Sequence, residues 1–182
     1  MFVIQTEKRL LSQLQFQIRH LLHSDLPSLE WEGEYTHFRR LYREIYRSAC
    51  DDRAVIWVAD LGGSEVIGQL LVQLESARVE LADGDNCAYF YGFRVKDNYR
   101  GQGVGSRLLK NAEVDLYGRK FRWITLNVSR DNLETRRYYE KRGFRIVAPE
   151  PGKWSYIDDQ GAHIEVHEPS WRMKKRIIPQ QC

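Results

Sequence analysis

The chain has 182 residues, 42% hydrophobic and 29% charged, with a formal net charge of +3 and ten tyrosines, seven phenylalanines and five tryptophans. That length suits one domain whose core needs no disulfide or metal staple, and so much aromatic surface excludes disorder as the main state. No apolar run approaches the roughly 20 residues of a membrane helix, the start MFVIQTEKRLLSQ lacks the plan of a signal peptide, and Cys50, Cys87 and Cys182 are odd in number and far apart, so the expectation is a cytoplasmic protein with reduced thiols and no metal site.

In chain order, FVIQT at 2–6 reads as a short strand. Leu10, Leu14, Ile18 and Leu21/Leu22 recur at helical spacing and predict a helix over 8–23. Residues 25–35, with Pro27 and Gly33, read as a loop. Phe38, Leu41, Tyr42, Ile45 and Ala49 predict a second helix over about 36–50. Residues 54–59 and 66–74 form a strand pair across the Gly62-Gly63 turn. The segment 87–95 is apolar on both faces, as a central strand would be, and Gly92 inside it predicts a bulge or a close backbone approach. Residues 103–117 read as a helix and 121–128 as a strand. Asp131 and Glu134 have capping-box spacing for a helix that Gly143 ends, and 144–147 reads as a strand. Strand-like 154–157 and 163–166 flank Asp158-Asp159-Gln160-Gly161, and WRMKKRI closes the tail. The order predicts an α/β or α+β sandwich with a mixed sheet.

Charge is unevenly distributed. Residues 51–93 sum to −6 and residues 94–145 to +8. A basic stretch of that density fits a polyanionic guest or a solvated helical surface. The chemistry concentrates there. A central strand leads through a short polar loop into Arg100-Gly101-Gln102-Gly103-Val104-Gly105, and then directly into an apolar-faced helix. Glycines at a helix start let an anion approach free N–H groups, and Arg100, Arg107 and Lys110 add charge, so a pyrophosphate suits the turn. The spacing is not the GxGxxG of a dinucleotide site, and no Gly-Lys-Ser/Thr of a triphosphate loop occurs. A glycine turn that merely starts a helix is the plainer alternative.

The residues Arg100–Gly105 resemble the Gln/Arg-x-x-Gly-x-Gly/Ala coenzyme A motif of the GCN5-related N-acetyltransferases (GNAT). Asn132 followed by Tyr138-Tyr139-Glu140-Lys141-Arg142-Gly143-Phe144 resembles their Asn…Tyr-Glu-Lys-x-Gly-Phe signature. The close likeness covers about 86–147, and the order of elements extends it to about residue 54. It implies a strongly twisted mixed sheet with helices on both faces, splayed central strands and an extra C-terminal hairpin. It also implies a single acetyltransferase domain over 1–182, with the core at about 54–176, a strand and two helices before it in 1–50, and the hairpin and last strand at 151–176.

The same resemblance implies transfer of an acetyl group from acetyl-coenzyme A to a primary amine of a small molecule or peptide, with no metal. The backbone of Phe93 and Val95, with Arg94 between them, would pair with the pantetheine arm. The amides from Gln102 through Gly103, Val104 and Gly105 to Ser106 would hold the pyrophosphate, with Arg100, Gly101 and Arg142 also on the cofactor side and Asn132 at the pantetheine. Tyr139 would be the general acid, a phenol of ordinary pKa near 10 donating to a thiolate whose acid lies near 8.5. Tyr138, about 100° round the helix, is assigned to packing. Some members place a glutamate base where this chain has Asn127, which takes no proton. Other acids or histidines (Glu30, Glu32, Glu34, Glu80, His163, Glu165, His167) or a water relay must serve. Trp31, Glu32, Tyr35, Glu80, Tyr89, Tyr91, Asn127 and Glu165 are the candidates for the acceptor side, where a cationic amine is expected between the leading helices and the tail hairpin. The competing class is a non-catalytic module that binds acyl-coenzyme A or nucleic acid on the same fold. A monomer or homodimer without membrane attachment completes the expectation.

Overall fold

The segments Ala54–Asp60 (β2) and Val66–Gln73 (β3) are almost unbroken runs of β-branched and aliphatic residues, buried along nearly their whole length. Such runs are stable only where both sheet faces are covered. In the computed structural model, which describes residues 14–63 and 65–178, they pair antiparallel near the middle of a seven-stranded sheet. Cys87–Val95 (β4) continues the sheet beside β3, and Trp123–Ser129 (β5) follows in parallel with β4. A parallel pair needs a long crossover, here the 15-residue helix Val104–Gly118 (α2). The helix Arg39–Cys50 (α1) precedes it in the chain, and Leu133–Glu140 (α3) follows β5.

Gln17–His20 (β1) forms one sheet edge against β2. Arg145–Glu150 (β6), Lys153–Ile157 (β7), His163–His167 (β8) and Ser170–Arg176 (β9) complete the strands, in the order β1-β2-β3-β4-β5-β9-β6 with β7-β8 as a separate ribbon. The last strand among the described residues thus lies between β5 and β6, antiparallel to both.

Two apolar layers cover the sheet. Leu70, Phe90, Leu109, Leu116, Ile124, Tyr139, Phe144 and Met173 fill the side under α2 and α3. Leu29, Tyr42, Ile45, Ile56 and Leu71 fill the side under α1. A fully buried ring such as Phe90 contributes about 2–3 kcal/mol by removal of apolar area from water.

Three expectations are corrected. The helix over 8–23 is not formed in its described part: β1 occupies 17–20 and a 3₁₀ helix spans His23–Glu30. Leu14, Phe16 and Ile18 pack on one side at a spacing of two, and pairing with β2 selects that period over the helical one. The segment 25–35 is therefore not wholly a loop. The strand at 2–6 and the first part of the predicted helix lie outside the described residues. The cap of α3 is Asn132, whose Oδ1 accepts from the Thr135 amide at 2.9 Å, rather than Asp131.

The bulge at Gly92 organises the centre of the sheet. Leu71 pairs with Tyr91 and Gln69 with Arg94, so three steps on β4 oppose two on β3. Gly92 has φ +56°, and a Cβ there would sit 2.6 Å from Leu71 Cδ1. Beyond the bulge β4 leaves β5: their pairing runs only from Cys87 opposite Trp123 to Phe90 opposite Leu126. Gly92→Ala should lower the stability by about 1–3 kcal/mol from backbone strain and overpacking, read as a smaller urea midpoint at unchanged slope; an unchanged midpoint would show that the bulge tolerates a side chain.

Two carboxylates tie loops to this frame. Burial opposes ionisation of Asp60, but the Gly62 amide, Arg19 and Gln17 outweigh it and hold the carboxyl below its usual range. Asp83 is likewise opposed by burial and held down by the amides of Asn86, Cys87 and Asp85. Depressed folded-state values mean that this stability is complete above the unfolded carboxylate pKa near 3.9 and is lost as pH falls below it. Asp83→Asn should therefore flatten the acid limb of a melting-temperature profile below about pH 4.

Candidate functional site

The splayed end of β4 exposes backbone on one edge. The Lys96 amide donates to Ile67 O at 2.9 Å, towards β3, and Arg94 pairs with Gln69. Alternate residues turn their N–H and C=O to opposite edges, so those of Phe93 and Val95 face the gap left by β5. The Val95 carbonyl accepts from Arg100 Nε at 3.0 Å, and Arg100 also pairs with Asp97 at 2.9 Å.

The glycine turn lies next to that edge. Gly101 (φ +73°) and Gly103 (φ +84°) are left-handed, and a Cβ on either would meet nothing within 4 Å. Gly103 is the N-cap of α2 and offers no side-chain cap, so the first amides of the helix are open to an anion. Gly105 differs: its Cβ would lie 3.0 Å from the Phe93 ring and 3.2 Å from the Tyr138 hydroxyl. This glycine lets α2 and α3 approach. Arg142 bridges them, donating to Ser106 Oγ at 2.9 Å and to the Tyr138 carbonyl at 3.0 Å, with its guanidinium 3.4 Å from the centre of the Tyr138 ring. Gln102 Nε2 closes the turn on Asn98 O at 2.8 Å.

Tyr139 is 6% exposed, with its ring 5.3 Å from Phe144, 5.4 Å from Tyr138 and 6.4 Å from Phe93. Burial, more than neighbouring Tyr138, pushes its phenol well above the ordinary value, so it holds its proton. Tyr138 is half-buried against the glycine helix. The Asn132 side-chain oxygen serves the helix cap.

The opposite face carries different chemistry. The bulge turns Tyr91 and Arg94, three residues apart, to the same side, under α1. Arg94 donates to Tyr42 Oη at 2.9 Å and lies 3.9 Å from the Tyr35 ring centre and 5.2 Å from that of Phe38. Its side chain therefore points away from the glycine turn, while its backbone stays between Phe93 and Val95. Tyr89 and Tyr91 stack at 5.5 Å, and burial pushes Tyr89 up to about 12. Trp31 is buried in a left-handed backbone (φ +44°), 5.3 Å from Tyr35.

The acids expected on this side are engaged or remote. Glu32 pairs with Lys96 at 2.8 Å, and Glu80 with Arg78 at 2.7 Å and Arg172 at 3.7 Å. Glu150, 3% exposed, sits between Arg78 at 2.7 Å and Arg172 at 3.4 Å. Asn127 stands opposite Arg172, its buried Oδ1 without a hydrogen bond among the described residues. Glu165 is exposed on β8, and no group of three His, Cys, Asp or Glu among the described residues is placed to hold a metal ion.

Thus Phe93, Val95, Gly101–Ser106, Tyr139 and Arg142 come together on one side, and Tyr35, Tyr91 and Arg94 on the other. Sequence reasoning missed Phe38 and Tyr42, which read as core positions of a helix. It also missed Arg78, Glu150 and Arg172, which meet only because β9 enters beside β5.

The Acetyltransferase (GNAT) family model matches residues 17–144. Solved structures of like fold include Ard1 from Thermoplasma volcanium (19% identity, TM-score 0.65, covering 90% of this chain and 99% of that one). The ribosomal-protein-S18-alanine N-acetyltransferase of Escherichia coli is similar at 18% identity and TM-score 0.66, over 92% and 97% of the two chains. Arabidopsis thaliana NAA60, in complex with acetyl-CoA, is similar at 21% identity and TM-score 0.66, over 90% and 99%. Among the described residues no helix is long and apolar enough to cross a membrane. Since the matched stretch runs from β1 past α3 and includes both the splayed strands and the glycine turn, the chain belongs to the GNAT acetyltransferase family.

Proposed function

We propose that the chain is an N-acetyltransferase that moves the acetyl group of acetyl-coenzyme A to a primary amine. The observation that carries this reading is the edge of β4 at Phe93 and Val95, which β5 leaves without a strand partner, leading onto an open, left-handed glycine turn flanked by Arg100 and by Arg142 on Ser106. An extended amide-bearing arm suits the edge, and a pyrophosphate suits the turn. The complex of the similar Arabidopsis protein with acetyl-CoA supports the same guest.

Bound acetyl-coenzyme A supplies a thioester, whose carbon is attacked by the neutral amine. The Phe93 and Val95 backbone orients the arm, for which Arg100 must release the Val95 carbonyl. Tyr139 holds a proton at Oη for the sulfur: the C–N bond forms, the C–S bond breaks, and the thiolate leaves protonated. Asn127 takes no proton, so the surplus amine proton leaves through water, after which Tyr139 is reprotonated. Burial of Tyr139 keeps the phenol protonated through the range in which the amine becomes neutral.

Gly103→Val should cut acetyl-coenzyme A affinity at least tenfold in calorimetry while the far-ultraviolet spectrum is retained, because the side chain fills the open turn and strains a left-handed φ. Unchanged affinity would move the pyrophosphate elsewhere. Gly105→Val is the poorer probe, since it also disturbs packing against Phe93 and Tyr138.

Tyr139→Phe should lower turnover about 10²–10⁴-fold with little change in coenzyme affinity. Wild-type activity should rise through about pH 7–9 as the amine deprotonates. No loss from Tyr139 ionisation is expected below the ordinary tyrosine pKa near 10. A less than threefold effect of the substitution in single-turnover kinetics would exclude Tyr139 as the acid.

A further inference from the structure

On the acceptor face Arg94 is half-buried and has no carboxylate partner among the described residues. Of the five N–H groups of Arg94, one is donated, from Nη1 to Tyr42 Oη. No carboxylate among the described residues pairs with it, whereas the acids around the face are engaged. Glu30 is held by Arg39 at 2.6 Å and by Thr36, Glu32 by Lys96, and Glu80 and Glu150 by Arg78 and Arg172. Glu34 is exposed beside the Tyr35 hydroxyl.

The guanidinium is also held in place. Its central carbon lies over the Tyr35 ring, 3.9 Å from the ring centre, and its hydrogen bond to Tyr42 holds it from a second side. A planar cation so immobilised, with free parallel N–H groups, loses little entropy on taking a carboxylate in bidentate fashion. Its position is set by the bulge: Arg94 follows Tyr91 on the same face by three residues, within about 10 Å along the strand of the point where β4 and β5 part. The walls beside it are apolar. Phe38 contacts Tyr156 of the β7–β8 ribbon at 4.9 Å and Trp154 at 6.3 Å, so the ribbon packs on the ring that lies next to the guanidinium.

We propose that Arg94 anchors the carboxylate of the acceptor, which is a small amino acid-like molecule with a primary amine, a carboxylate and an apolar or aromatic body. This deepens the acetyltransferase reading and rests on it. It replaces the expectation of a purely cationic amine, because the buried and half-buried acids of this face are already held by arginine and Glu32 by Lys96, Glu34 and Glu165 are exposed to solvent, and the half-buried Arg94 is left to receive an anion.

The test compares free-thiol release with phenylalanine and tryptophan against their decarboxylated counterparts, phenethylamine and tryptamine, with acetyl-coenzyme A binding followed separately by calorimetry. The amino acids should show at least tenfold higher kcat/KM than the matched amines. Arg94→Gln should raise the KM for the amino acids about 10–100-fold, collapsing that preference, with kcat much less affected. Arg94→Lys, which keeps the charge but loses the fork, should recover part of the preference, and it decides the matter if Arg94→Gln melts early. Preference for the decarboxylated amines, an equal loss on both sets in Arg94→Gln, or silence of the whole panel while acetyl-coenzyme A binds would each overturn the proposal. Failure of the wild-type chain to bind acetyl-coenzyme A would overturn the acetyltransferase reading with it.

Discussion

One inserted residue in the fourth strand sets the layout of the whole molecule. At Gly92 the backbone adopts a positive φ, with Leu71 pressed so close that no side chain fits. An antiparallel ladder absorbs an extra residue by twisting and bending the strand that carries it. The bend ends the hydrogen bonding between β4 and β5 after four pairs and opens a wedge. The same residue reverses the alternation of side chains. In a regular strand of the same sequence Phe93 and Val95 would lie under α1 and Arg94 against α2. With the bulge, Phe93 packs beside Gly105 and Arg94 lies on Tyr35.

The two faces that the wedge joins are electrostatically unlike. Around the glycine turn, cations and unsatisfied helix amides converge, and Arg142 ties the two helices together through Ser106 and Tyr138. On the other face, Glu150 is almost fully buried between two arginines, an arrangement that trades desolvation against tightly formed ion pairs. That network lies over β5 and β9, where it leaves Asn127 beside Arg172 without a proton acceptor of its own. Tyr139 lies on the glycine-turn side of the sheet, in the aromatic cluster with Phe93, Tyr138 and Phe144, where burial favours its protonated form.

The legible parts of the sequence were those in which local pattern and tertiary role agree. The doubly apolar strands, the helix after the glycine turn and the bulge glycine all follow from residue type and spacing. The misread parts depend on partners distant in the chain. Residues 14–18 carry apolar side chains compatible with two periods, and only the free edge of β2 selects one. Asp131 and Asn132 are both good caps by residue type, and only the fold shows that it is Asn132 whose side chain reaches the Thr135 amide. The orientation of Arg94 follows from where the extra residue falls in the register, which neither Gly92 nor its neighbours specify alone. The Glu150 network needs β9 in place before its members meet.

The position of β9 also constrains how the chain reaches its native state. Among the described residues β6 has no strand neighbour other than β9, and β9, ending at Arg176, is their last element. Until that stretch arrives, β6 carries an unpaired edge and the outer side of β5 is bare. Such a sheet cannot be completed progressively from the amino-terminal end; its middle must wait for its tail. The late closure demands a long-range contact, which slows folding and prolongs the life of exposed edges. Shortening the chain from its carboxyl end would therefore strip two strands from the sheet, not one.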